Sequence, residues 1–168
     1  PYDPIGINIR ERLQGPSVKH LMGTDQLGRD VFSRIVMGSR IALKVALVSI
    51  TLALSCGLVL GLIAGYGPPW LDKIIILIFD TIRSFPTIMF ALAIVTLVGP
   101  SLETVILVVV ITTIPVYGRI VRAQTQAIKN NEFILAERAM GAGIIRILSL
   151  HMLPNIIGPL LIIASMDL

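Results

Sequence analysis

A chain of 168 residues with 55% apolar and only 14% charged side chains lacks the polar surface of a soluble domain, which carries about 25% charge. Its net charge of +4 is not gathered on a basic stripe interleaved with aromatics, so nucleic acid is excluded as a partner. The lysines and arginines flank apolar runs instead, where they meet lipid headgroups, and the chain reads as an all-α, polytopic membrane helical bundle.

Residues 1–40 form a polar segment before the core spans, with turn signals at Asp3-Pro4 and Gly15-Pro16. Gly23-Thr24-Asp25-Gln26-Leu27-Gly28-Arg29-Asp30 reads as a loop leading into a helix. Thr24 or Asp25 is its expected cap, and Val31, Ile35 and Gly38 continue at helical spacing. The core, 41–168, opens with a span over about 42–66, inside a stretch from Val45 to Leu71 that carries no charge. Ser49, Ala53, Gly57, Gly61 and Gly65 recur every fourth residue there. The glycines make a strip where another helix can approach closely. Cys56 lies in the same run, has no second cysteine to pair with, and reads as a small packing residue.

Residues 71–98 read as one broken span. Asp72, Lys73, Asp80 and Arg83 interrupt its first half, Pro86 kinks it, and the clean part from Thr87 to Val98 is too short to cross alone. Asp80 and Arg83 are three apart; they either pair on one helix face or, with Ser84 and Pro86, line a translocation path or hinge. Gly99-Pro100-Ser101 turns the chain into a third span over about 102–121, with Pro115 near its end and Glu103 as an interfacial charge. His20 and His151 have no Cys, His or Glu neighbours at ligand spacing, so no metal site is expected, and no catalytic constellation is present. A last span starts at about 155. Its eleven residues from Ile156 to Met166 fall short of the 20 or so needed to cross, so both ends read as cut.

Between the third and last spans lies a polar loop, about 122–153, holding a short amphipathic helix. Asn130 or Asn131 caps it, Glu132 complements its dipole, and Gly141 and Gly143 stop it. Phe133, Ala136, Ala139 and Met140 make an apolar side, with Glu137 and Arg138 pointing elsewhere. A lone helix of this kind lies on a membrane or docks in a partner's groove. Counting lysine and arginine does not orient the spans: seven lie in residues 1–44, against five in 119–151 plus Lys73.

Leu135-Ala136-Glu137, Gly141 and Leu153-Pro154 resemble, at matching spacing, the cytoplasmic EAA loop of ABC importer permeases; Leu135 stands where that family has Glu, and Glu137 where it has Ala. The run from His20 to Arg34 is similar to the segment before the core spans in the dipeptide, oligopeptide and nickel permease group. So is Leu71-Asp72 followed by Asp80 and Ser84-Phe85-Pro86.

The resemblance implies a type I importer permease fold in the prokaryotic inner membrane, with residues 1–40 extracytoplasmic and 122–153 cytoplasmic. It implies a transport subunit, not an enzyme: no Gly-x-x-x-x-Gly-Lys-Ser/Thr loop is present, so ATP and Mg would sit on a separate ATP-binding cassette subunit. A homologous second permease, an extracytoplasmic solute-binding protein and the lipid membrane are the other implied partners. Phe133, Ala136 and Met140 would give apolar contact with the ATPase, Glu137 and Arg138 polar contact. Gly141 would allow close approach or the helix stop, and Leu153-Pro154 would restart the chain. The cargo would be peptides or related small solutes. An ion-driven transporter or channel, the alternative, predicts mid-span charges and inverted repeats that are not evident.

Overall fold

The computed structural model describes residues 2–167 and forms two compact units that divide between Val45 and Ala46. Pro1 and Leu168, the ends read as cut, lie outside the described residues.

The first unit is built by side-chain hydrogen bonds around loops, with a single 3-10 turn at Ile9–Glu11 and an isolated antiparallel bridge between Thr24 and Asp30. Asp25 organises the loop: its Oδ1 accepts from the backbone N–H of Leu27 (2.9 Å) and Arg29 (3.0 Å), and its Oδ2 pairs with the Arg29 and Arg34 guanidinium groups. Burial by itself would raise the Asp25 carboxyl, but these N–H groups and the Arg29 charge outweigh it and hold it at about 2. Gly28 closes the turn at φ +73°, with the Asn8 carbonyl where a Cβ would stand. The expected caps are not the observed one. Asp30 caps α1 (Val31–Tyr66) by accepting from the Ser33 N–H at 2.8 Å, while Thr24 bonds the Glu11 carbonyl. Asp30 is itself fixed by His20 Nδ1 at 2.9 Å, both side chains being buried.

In the second unit the later part of α1 is followed by α2 (Pro69–Ser84), α3 (Thr87–Val98), α4 (Leu102–Ile128) and α5 (Glu132–Ala139). Then come α6 (Ile144–Arg146), a π-helical turn at Ile147–Met152 and α7 (Leu153–Met166). Two boundaries differ from the sequence reading. Helix α4 continues past the expected end of the third span, to Ile128, with Pro115 inside it. The last helical run starts at Ile144 rather than near 155, and Ile144–Met166 is long and apolar enough to cross a membrane. The π turn explains the second difference: Pro154 has no N–H for the Leu150 carbonyl, and the ladder widens there instead of ending. Asn155 Nδ2 donates to the His151 carbonyl at 2.6 Å in the same turn.

The glycine strip lies against α4 of the same chain. A Cβ at Gly57 would stand 2.8 Å from Tyr117 Cβ, at Gly61 2.6 Å from the Gly118 carbonyl oxygen, and at Gly65 2.5 Å from Thr125 Cβ. Rising numbers on α1 meet rising numbers on α4, so these two helices run parallel, and the chain must recross between them. That return is made by α2 and α3, bent by 88° where Phe85 and Pro86 are extended. Legs of about 24 and 18 Å at a right angle separate their ends by about 30 Å, the hydrocarbon thickness.

The other side of Gly118 receives α2, since a Cβ there would stand 2.4 Å from the ring of buried Phe79. Helix α4 is thus the central element, with Tyr117, Val121 and Thr125 fully buried.

Candidate functional site: an outward-facing short helix and a charged helix pair

Helix α5 is eight residues long and ends in a hydrogen-bonded C-cap. The Gly141 N–H donates to the Arg138 carbonyl and the Ala142 N–H to the Glu137 carbonyl, both at 3.0 Å, with Gly141 at φ +83°. This is a Schellman stop, which needs a left-handed residue at that place. No atom of the described residues lies within 4 Å of a Cβ at Gly141, and its left-handed φ accounts for the glycine at the helix stop. Asn131 is the N-cap residue, without a side-chain capping bond.

The spacing of α5 divides its residues into two faces. Ile134, Glu137 and Arg138 lie at i, i+3 and i+4 on one side of the helix, with Ile134 buried, Glu137 half-buried and Arg138 exposed. Ile134 is fully buried in the cluster that holds Ile147, Met152 and Ile156. Glu137 Oε1 lies 3.4 Å from His151 Nε2. Arg138 Nε donates to Tyr66 Oη at 3.1 Å, and its guanidinium stands 4.9 Å above the Tyr66 ring. The helical turn that buries Ile134 thus brings Glu137 beside the chain's own His151 and Arg138, still exposed, onto Tyr66. Phe133, Ala136 and Met140 occupy the outward face, with Phe133 44% and Met140 73% exposed. Leu135, at the place where the resembled family has Glu, is 48% exposed. Leu153 and Pro154 lie away from this face, at the junction of the π turn and α7.

The second feature is the charged face between α2 and α4. Asp80 pairs with Arg119 and not with Arg83, because the side of α2 that buries Phe79 also turns Asp80 toward α4. Arg122 forms a forked pair with Asp72, its Nη2 donating to Oδ2 at 2.7 Å. Arg83 is exposed, the Ser84 hydroxyl bonds back to the Asp80 carbonyl at 2.7 Å, and Pro86 is the N-cap of α3. The sequence reading missed Gly118, Arg119 and Arg122. The available signal was two acids in one apolar stretch and two arginines in the next, opposite charges that lipid would force together. Among the described residues no cluster of His, Cys, Asp and Glu is placed to hold a metal ion.

Residues 57–168, which contain α2 to α7 and the packed part of α1, match the family described as binding-protein-dependent transport system inner membrane component. The chain belongs to that family. Among similar proteins, the chain is 44% identical over 159 residues to the dipeptide transport system permease protein DppC of Alkalihalophilus pseudofirmus, covering 95% of the chain and 52% of the relative. It is 40% identical to the glutathione transport system permease protein GsiD of Pectobacterium atrosepticum, covering 99% of the chain and 56% of the relative. To the di/tripeptide transport system permease protein DppC of Pseudomonas aeruginosa it is 35% identical, covering 99% and 57%. The chain spans about half the length of the curated relatives it matches.

Proposed function

We propose that this chain forms part of the permease subunit of an ATP-driven importer for short peptides or related small solutes in the bacterial inner membrane. Helix α5 serves as its docking element for an ATP-binding cassette subunit. The observation that carries this reading is the outward face of α5, where Phe133, Ala136 and Met140 are presented on a helix held from behind by Ile134 and closed by Gly141. An exposed apolar helix face of this size fits a groove in a partner protein.

The resemblance of Leu135-Ala136-Glu137, Gly141 and Leu153-Pro154 to the cytoplasmic loop of importer permeases supports a cytoplasmic α5. ATP and Mg bind the partner, not this chain. Nucleotide binding favours one arrangement of the spans and a loaded extracytoplasmic solute-binding protein the other, because only a ligand with different affinity for two states shifts them. A second, homologous permease completes the pathway. Peptide cargo is assigned from the names of the relatives.

The test is copurification of the full-length subunit with its companion ATPase, comparing the parent with Phe133→Glu and Met140→Glu. Loss of the ATPase in both variants is expected. Retention of a fully stimulated ATPase in both would remove α5 from the docking role.

A further inference from the structure

The contacts of α5 also indicate how its movement reaches the membrane. Two routes join α5 to the helical run 144–166. One is the covalent connection through Gly141-Ala142-Gly143, where two of three residues are glycine and nothing lies within 4 Å of a Cβ at either. Such a segment yields under load. The other is made of side chains. Ile134 is buried with Ile147 and Met152, and Glu137 faces His151 across 3.4 Å. All three partners, Ile147, His151 and Met152, belong to the π-helical turn.

That turn is the least regular part of the run. It precedes Pro154, which lacks the N–H that would close an α-helical ladder, and the Asn155 side chain occupies the His151 carbonyl. A π turn holds an extra residue, and its conversion to α-helix shifts the phase of the helix on one side by about 100°. A small displacement delivered there has a discrete structural response available.

We propose that Glu137 and His151 are positioning residues for transport: they fasten α5 to the π turn, so that displacement of α5 is delivered to α7 through side-chain contact. The proposal rests on the docking role of α5 given above. Arg138 on Tyr66 ties α5 to the end of α1 as well.

The experiment uses the full-length subunit with its companion permease, ATPases and binding protein in proteoliposomes, measuring dipeptide uptake, ATP hydrolysis and their ratio. The variants are Glu137→Ala, His151→Ala, both together, and the exchange Glu137→His with His151→Glu. Each single variant is expected to assemble and hydrolyse ATP while peptide moved per ATP falls about fivefold. The double variant should fall no further than the singles, as two halves of one contact do, and the exchange should recover at least part of the ratio. Unchanged uptake per ATP, or single losses that multiply in the double variant, would overturn the proposal. So would a loss that the exchange does not repair while the complex still assembles. If the parent subunit recruits no ATPase or imports nothing, the importer reading itself fails, which is a different result.

Discussion

Asp25 accepts two backbone N–H bonds and two guanidinium groups, and its carboxyl is held at about 2 against an ordinary value of 3.8. A depressed carboxylate contributes stability that is fully present above its unfolded value and is lost as pH falls through its folded value. The order of the loop 23–30 should therefore hold at neutral pH and fail between 3.8 and about 2. Asp25→Asn should flatten that acid response, read by amide exchange of residues 23–34. At Gly141 the constraint is conformational. Gly141→Ala places a Cβ at φ +83°, costing about 1–2 kcal/mol, whereas Gly141→Asn tolerates that conformation better. Amide exchange within α5 should quicken about tenfold for the alanine variant and less for asparagine. Equal rates in both would show that α5 does not depend on its cap.

The α1–α4 contact is where helices set the structure. Membrane helices gain no hydrophobic free energy by leaving lipid for each other, so close packing of small residues decides which faces meet. At Gly61 an added side chain meets the Gly118 carbonyl and Val121 Cβ, both at 2.6 Å, so the helices must separate. Gly61→Leu should lower the thermal midpoint of the detergent-solubilised subunit, with an overpacking cost of about 1–3 kcal/mol. Gly158→Leu, on an open face of α7 with no atom within 4 Å of the added Cβ, should leave the midpoint nearly unchanged. A lesser effect at Gly61 than at Gly158 would place the strip elsewhere. The strip was visible from its period of four, yet its partner was not. Sequence spacing describes one surface and leaves open which surface covers it, and the choice between α4 and a second subunit came only from the packed helices.

For the whole chain, the parallel course of α1 and α4 makes 69–98 a single return crossing and puts residues 67 and 142 on one side and 100 on the other. In a Cys56→Ser background, Pro100→Cys should react with an impermeant maleimide in intact cells, and Ala142→Cys only after permeabilisation. Pro68→Cys, just before α2, should behave as Ala142→Cys does, and labelling of Pro68→Cys and Pro100→Cys from the same side would instead make α2 and α3 a re-entrant loop. Charge counting could not decide this, because lysine and arginine are spread almost evenly over the polar stretches.

Composition and the length of the apolar runs determined by themselves that this is a multi-helix membrane chain, since a run of about 20 apolar residues fits a spanning helix that closes its own backbone hydrogen bonds, and a spanning strand needs only about half that. The chain breaks at Pro86 and the glycine stop at Gly141 were also local, set by a ring without an N–H and by a left-handed dihedral. Tertiary structure alone decided the partners. Asp80 chose Arg119 on α4 over Arg83 on its own helix, and Glu137 and Arg138 met His151 and Tyr66 of the same chain. A charged or apolar side chain spends its interaction on whatever the packed bundle brings within reach, and that neighbour is set by helices far away in sequence.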